Sequence, residues 1–171
     1  MLIDDTPEDK EIWDYVYDTL RFHPSYEDKG HSFRVQLPFQ IPERHAVYAI
    51  EQMTEAQCDL LRERMRECFI RITEPGQKIY ALDWQHSSFL YDPRNPDEQE
   101  SIHVQNARYP NGYQAYFPEY YPDGDYYFFI DAQRRFGYLG HPWRQEIWVY
   151  GSALMQEVEA ISHELGWSRL L

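Results

Sequence analysis

The segment formed by residues 121–151, YPDGDYYFFIDAQRRFGYLGHPWRQEIWVYG, restricts the fold more than any other part of the chain. It contains the turn signal Asp123-Gly124, in which glycine accepts the positive φ that turns between strands require. Three short runs rich in aromatic and β-branched residues follow, at residues 126–130, between Gly137 and Gly140, and at residues 146–150. Strands so close in sequence pair most easily through short turns, so the segment predicts an antiparallel meander.

Helix-capping residues begin two other segments. Thr6 precedes Pro7 and two acidic residues, and Thr54 precedes Gln57 by three positions, which is the pattern of a capping box. Apolar residues then recur every three or four positions. The same periodicity follows Gly151, so helices are predicted at residues 6–22, 54–73 and 152–165.

The remaining segments complete the predicted order of elements. Strand-like composition occurs at residues 32–37, 45–50, 78–84, 88–91 and 112–117, and a polar stretch that predicts a mobile loop occupies residues 92–109. The order is helix, two strands, helix, several strands and a final helix. It predicts a single α+β domain over residues 1–171, with helices packed on one face of the sheet and the other face partly open.

Charge and hydropathy exclude several classes of function. The chain has 16 basic and 29 acidic residues, a net charge of −13, which disfavours binding to nucleic acid or to anionic membranes. It has neither a long apolar run nor a signal-like amino terminus, so a cytoplasmic location is expected. Cys58 and Cys68 lie about 15 Å apart on one predicted helix, which predicts two free, buried thiols and no disulfide.

Asp83-Trp84-Gln85-His86 combines a carboxylate and an imidazole that suit acid–base chemistry. In an extended strand, however, Asp83 and His86 point to opposite faces unless a bulge intervenes. The alternative is a structural role, in which these side chains bond the backbone of a loop.

A second group of polar residues suggests a cation site. Asp123 and Asp125, with Asp131 and His141, supply the oxygen and nitrogen ligands that divalent cations use. The spacing lacks the further oxygen ligands of an EF-hand loop, and turn formation already explains the first two aspartates. We therefore expect no metal and no other cofactor.

His141-Pro142-Trp143 places an imidazole beside an indole on a stiffened backbone. This arrangement suits a surface contact, although Trp143 packing on the core and His141 bonding a carbonyl group would explain it equally. The chain contains no P-loop, nucleophile elbow, dinucleotide fingerprint or His-Glu-x-x-His motif. The commonest enzyme classes are therefore disfavoured, and no catalytic residue is assigned.

Two long sequence segments resemble those of a known family. ALDWQHSSFLYDP at residues 81–93 and the segment at residues 121–151 resemble the bacterial Domain of Unknown Function 2716 family, as do Trp13 and FIRIT at residues 69–73. The resemblance implies a small, soluble bacterial protein and supplies no activity. In size, charge and layout the chain is also loosely similar to immunity proteins that accompany polymorphic bacterial toxins.

The leading hypothesis is an acidic binding protein that neutralises a cognate toxin, a basic protein, by direct contact. Its proposed partner-binding residues are Asp83, His86, Asp123, Asp125, His141 and Trp143. One alternative is a small hydrolase-like enzyme that uses the aspartates and histidines of this set, and another is a housekeeping adaptor.

Overall fold

The computed structural model describes residues 1–24 and 37–171. The helices in this part of the chain are α1 (Pro7–Asp18), α2 (Glu55–Ile72) and α3 (Ser152–Ser162), with a 3₁₀ helix at Pro96–Gln99. The strands are β1 (His45–Ala49), β2 (Ile79–Asp83), β3 (Ser88–Tyr91), β4 (Ile102–Val104), β5 (Tyr113–Ala115), β6 (Tyr127–Asp131), β7 (Gly137–His141), β8 (Glu146–Tyr150) and β9 (Ser168–Arg169). The predicted α+β class is confirmed. The strand predicted at residues 32–37 lies outside the described residues, apart from Leu37.

Among the described residues, seven strands form an antiparallel sheet in the order β3-β2-β6-β7-β8-β1-β9, and β4 pairs separately with β5. Successive hairpins join β6, β7 and β8, with register pairs such as Phe129↔Tyr138 and Leu139↔Trp148. The meander predicted from residues 121–151 is therefore confirmed. Asp123-Gly124 does not form a hairpin turn, because the strand before it, β5, pairs with β4. It instead directs the chain into β6.

Helices α2 and α3 pack on one face of the large sheet, as the sequence predicts. Met65 and Phe69 of α2 and Val158 of α3 join sheet residues such as Phe129 in one buried cluster. Side chains alternate between the two faces of a strand, so every second residue of each strand faces the helices and contributes to this cluster.

The opposite face of the sheet is also covered, so the expectation that it stays partly open is wrong. Ile12 and Val16 of α1 pack there with Phe128 and Leu82 in a second buried cluster. The strands β2, β3, β7 and β8 are buried along their whole length, and β6 is buried from Phe128 onward. An open face would need polar residues at alternate positions, and these strands have apolar ones.

The helix starts agree with the predicted caps, whereas α1 ends earlier than predicted. The Thr54 hydroxyl accepts from the Gln57 backbone N–H at 3.3 Å, and the Gln57 side chain accepts from the Thr54 backbone N–H at 2.8 Å. α1 ends at Asp18 instead of continuing to residue 22. Arg21 takes a φ of 53°, and the Phe22 N–H bonds the Val16 carbonyl at 3.2 Å, closing the helix end in the manner of a left-handed cap.

The polar stretch at residues 92–109, predicted as a mobile loop, contains the 3₁₀ helix and β4. Glu98 organises its first part. Its carboxylate accepts from the Asp92 backbone N–H at 2.8 Å and from the Lys78 ammonium at 3.1 Å. Polar side chains that bond the backbone build local structure in this way without apolar periodicity, so the sequence pattern did not predict it.

Both cysteines are free thiols, as predicted. Cys68 is fully buried, and burial raises its pKa to about 11. Cys58 is only half-buried, so the expectation of two buried thiols is wrong for this residue. The apolar stripe of α2 begins at Leu61, one turn after Cys58.

Candidate functional site

The turn between β2 and β3 brings His86 back onto Asp83. The Asp83 N–H bonds the Ser87 carbonyl at 3.0 Å, the His86 N–H bonds the Asp83 carbonyl at 3.0 Å, and Gln85 takes a φ of 66°. Nδ1 of His86 consequently lies 3.0 Å from Oδ1 of Asp83. The opposite orientation expected for an extended strand is not adopted, because the strand ends at Asp83 and the following residues form a tight turn.

Asp125 joins this pair from the segment that enters β6. The β2–β6 pairing places Asp83 opposite Tyr127, and the Trp84 N–H extends it by bonding the Tyr126 carbonyl at 3.1 Å. Oδ2 of Asp125 lies 3.1 Å from Nδ1 of His86. We call Asp83, His86 and Asp125 the Asp–His–Asp cluster. Three of the predicted site residues are therefore in contact.

Burial and charge shift the ionisation of the cluster. Burial raises the pKa of Asp83, whose side chain is 11% exposed, to about 6. Burial also raises the pKa of Asp125. The hydrogen bond to Asp83 raises the pKa of His86, whose side chain is 62% exposed. The result is an imidazole held at one nitrogen by two carboxylates and otherwise accessible to a ligand or a proton.

Asp123 and Trp143 line a separate groove of about 460 Å³ beside the cluster. Its walls are Gln52, Met53, Tyr121, Pro122, Asp123, Gly124, Pro142, Trp143 and Gln145, and we call it the Trp143 groove. Asp123 accepts a hydrogen bond from the Tyr127 hydroxyl at 2.9 Å. Its charge also contributes to the raised pKa values of Asp83 and Asp125. Groove and cluster thus adjoin through the short Asp123-Gly124-Asp125 turn.

His141 does not belong to either surface, because it is fully buried. Its Nδ1 accepts from the Arg144 backbone N–H at 3.2 Å, and its Nε2 lies 3.4 Å from the Tyr126 hydroxyl. The prediction of His141 as a partner-binding residue is therefore wrong. The strand β7 continues through His141 into the interior, and only Trp143, two residues later, reaches the surface.

Burial lowers the pKa of His141 to about 3, and the charge of Arg144 lowers it further in the same direction. The unfolded chain, with a histidine pKa of 6.5, therefore takes up this proton first as the pH falls. The neutral histidine's contribution to stability is fully present above pH 6.5 and is lost as the pH falls toward 3. One such proton changes the free energy of unfolding by up to about 1.4 kcal/mol per pH unit.

We therefore expect His141→Gln to flatten the dependence of stability on pH between about 6 and 4. Urea unfolding at several pH values measures it. His163→Gln, a change at an exposed histidine, serves as the matched control and should retain the wild-type slope. A wild-type slope in His141→Gln would contradict the buried, neutral state of His141.

A second cleft, of about 450 Å³, is lined in part by His86 and was not predicted from the sequence. Asp4 forms part of its wall, accepting from the Ser88 N–H at 2.6 Å and from the Tyr113 hydroxyl at 3.1 Å. Burial raises the pKa of Asp4. In the sequence, only the acidic pair Asp4-Asp5 marks this cleft, and two adjacent aspartates are equally typical of an exposed acidic segment.

The other predicted cation ligand, Asp131, lies at the far end of β6 from Asp125. It is 1% exposed and binds the Arg135 guanidinium at 2.7 and 2.8 Å. The four-residue cation site considered from sequence is therefore not formed. Within the described residues, the Asp–His–Asp cluster is the only group of three ligand-type residues whose donor atoms all lie within 4.8 Å of one another.

Comparison with known proteins gives a family and no activity. An uncharacterised protein of Bacillus subtilis (strain 168), YxiI, is 31% identical over 87 residues, which are 51% of this chain and 47% of that protein. The chain thus spans about half the length of this curated relative. No solved structure matches the chain. In the part of the chain that the structure describes, no helix is long and apolar enough to cross a membrane. The model of a family described as "Protein of unknown function (DUF2716)" matches residues 4–155, and the chain therefore belongs to that family.

Proposed function

We propose that this protein binds a basic protein segment at the Trp143 groove and neutralises that partner, as an immunity protein neutralises its toxin. One observation carries the proposal: Trp143 and Asp123 line the same groove, and the Asp–His–Asp cluster adjoins it. An aromatic centre bordered by carboxylates is the arrangement expected for a surface that receives lysine or arginine side chains.

The apolar part of the groove is held in place before any partner arrives. Trp143 is half-buried and packs against the cluster of buried residues under α1. Tyr121 and Met53 pack against the core under α2 and α3. Pro122 and Pro142 restrict the backbone on either side. The side chains of the groove therefore lose little conformational entropy when a partner binds, which favours higher affinity.

The charge of the surface favours a basic partner. Eleven lysine and arginine side chains of the described residues form ion pairs with Asp or Glu of the same chain. No lysine or arginine is among the described residues that line the Trp143 groove. With a net charge of −13, the excess of carboxylates accelerates encounter with a basic protein and repels nucleic acid.

The test starts from the partner. The purified protein is used as bait in a lysate of its host, the bound protein is identified, and the complex is reconstituted from purified components. We expect a basic partner whose association rate falls steeply with salt while dissociation changes little. Trp143→Ala should accelerate dissociation about 30-fold, corresponding to a 2 kcal/mol anchor, and Asp123→Asn should slow association.

Two variants are matched controls for this experiment. Tyr116→Ala removes an aromatic side chain that is 66% exposed outside the groove, and Asp18→Asn removes an exposed charge on α1. Both should bind like the wild type. Co-expression with the partner should restore growth for the wild type and not for Trp143→Ala. If Trp143→Ala binds and protects as well as Tyr116→Ala, the groove is not the interface.

A specific observation also favours the hydrolase-like alternative. His86 is oriented by Asp83 at 3.0 Å and remains accessible, which is the arrangement of a general base. The two proposals differ in their outcome. If no protein partner is recovered and a substrate screen finds turnover that His86→Ala abolishes, the enzyme replaces the binding protein.

A further inference from the structure

We propose that the Asp–His–Asp cluster binds one zinc-type divalent cation through Nδ1 of His86 and a carboxylate oxygen from each of Asp83 and Asp125. All three donor atoms lie within 4.8 Å of one another and come from two turns at the same end of the sheet. The cluster borders the Trp143 groove of the proposed function, but the test of this site involves the isolated chain alone, so the two proposals can fail separately.

Two of the three donor separations are close to those around a bound ion. Zn²⁺ lies about 2.0–2.1 Å from imidazole nitrogen and about 2.0–2.2 Å from carboxylate oxygen. In a tetrahedron these bonds place neighbouring donor atoms about 3.4 Å apart, and in an octahedron about 3.0 Å apart. The observed separations from Nδ1 are 3.0 and 3.1 Å. These two separations therefore need to change by no more than about 0.4 Å to accommodate the ion, and the two carboxylate oxygens lie within 4.8 Å of each other.

The convergence of two carboxylates supplies a second reason. Asp83 and Asp125 both contact His86, their donor oxygens lie within 4.8 Å of each other, and the Asp83 side chain is only 11% exposed. Two carboxylates in a partly buried site repel one another unless a proton or a cation neutralises them. A divalent ion would neutralise both at once, whereas His86 can provide at most one positive charge.

The surrounding backbone orients the ligands. Oδ1 of Asp125 accepts from the Tyr126 N–H at 2.8 Å, which leaves Oδ2 directed at His86. The bond between the Trp84 N–H and the Tyr126 carbonyl fixes the two turns relative to each other. Such outer contacts are typical of metal sites, where they hold the ligands in position.

The ligand set favours zinc-type ions over calcium or magnesium. Ca²⁺ requires six to eight oxygen ligands, and Mg²⁺ retains most of its waters, whereas imidazole suits Zn²⁺ and its neighbours in the transition series. Three protein ligands and an imidazole that is 62% exposed leave a further coordination position accessible to water or substrate. Both buried cores of the protein are built without these residues, so the fold itself does not depend on the ion.

The test uses the isolated protein after treatment with a chelator and desalting. Co²⁺ serves as a spectroscopic probe and Zn²⁺ is titrated calorimetrically. We expect one ion per chain, Co²⁺ absorption stronger than that of the hydrated ion, displacement of Co²⁺ by Zn²⁺, and no displacement by equimolar Ca²⁺. His86→Ala should weaken binding more than about 100-fold, because even outer-shell changes cost 10–100-fold, and Asp125→Asn at least about tenfold.

His163→Ala and Asp18→Asn are the matched controls, since each changes an exposed residue of the same type outside the cluster. They should bind both ions like the wild type, and Zn²⁺ should raise the unfolding midpoint of the wild type and controls but not of His86→Ala. The proposal is overturned if the wild type takes up neither ion. It is also overturned if His86→Ala binds as tightly as His163→Ala, or if Ca²⁺ competes as well as Zn²⁺.

Discussion

Replacing either Phe128 or Phe129 by alanine is expected to lower the free energy of unfolding by about 3–5 kcal/mol. The two residues are neighbours on β6, both are fully buried, and they point to opposite faces of the sheet. Truncation of a buried phenylalanine removes apolar surface and leaves a cavity that the surroundings fill only in part. The similar cost on both faces is the distinctive expectation, because it requires two packed cores.

The ring contacts on each face support this expectation. Phe129 stacks on Tyr120 with ring centroids 4.2 Å apart and lies 6.2 Å from Phe69 of α2. On the other face, Phe128 lies 5.0 Å from Phe22 and 6.0 Å from Trp13 of α1. Such aromatic contacts contribute beyond the area that they bury.

Urea unfolding, followed by circular dichroism, measures these losses. Tyr116→Ala, at an exposed aromatic residue, is the control and should change stability by no more than about 0.5 kcal/mol. If Phe128→Ala cost less than about 1 kcal/mol while Phe129→Ala cost the full amount, α1 would not cover its face of the sheet as described.

Gly151→Ala should be the most damaging of the single-methyl changes considered, with an expected loss of about 2–6 kcal/mol. Gly151 joins β8 to α3 with a φ of 87° and a ψ of 119°, outside the left-handed helical region, and this conformation costs an alanine about 1–3 kcal/mol. A Cβ atom would also lie 2.5 Å from the Arg135 carbonyl oxygen and 2.5 Å from Cβ of Phe136. The backbone or the buried Phe136 must then move, which costs about 1–3 kcal/mol more.

Gly76→Ala provides the comparison without a steric clash. Gly76 has nearly the same φ, 84°, but nothing lies within 4 Å of the position that its Cβ would occupy. It should therefore lose about 1–2 kcal/mol, and the excess in Gly151→Ala measures the steric clash together with the further backbone strain at its ψ of 119°. Thermal and urea unfolding of both variants make the comparison. Equal losses in the two would show that the chain around Gly151 relaxes without cost.

The candidate site could be predicted from sequence only in its residue types. Asp83, His86, Asp123, Asp125 and Trp143 were all selected for their chemistry. Their grouping was not predicted, because it depends on where β2 ends. Gln85 adopts a positive φ without being glycine, so the turn that returns His86 to Asp83 had no clear local signal.

His141 was predicted to lie at the surface, but the structure buries it. Its neighbours Pro142 and Trp143 suggested a surface, and Trp143 does reach the groove. Yet β7 lies near the centre of a sheet that is covered on both faces, so its last residue is buried. The residues next to a histidine in the sequence do not show whether its side chain lies at the surface or in the interior.

The sequence by itself determined the helix starts at Thr6 and Thr54, the meander of β6, β7 and β8, and the α+β class. These features depend on residues a few positions apart, through caps, short turns and periodicity. Only the tertiary structure decided that β2 pairs with β6, that α1 covers the second face and that Asp125 meets His86. Pairing between distant segments is chosen by the burial of the whole core, because a one-residue change of register would turn every side chain of a strand to the opposite face of the sheet.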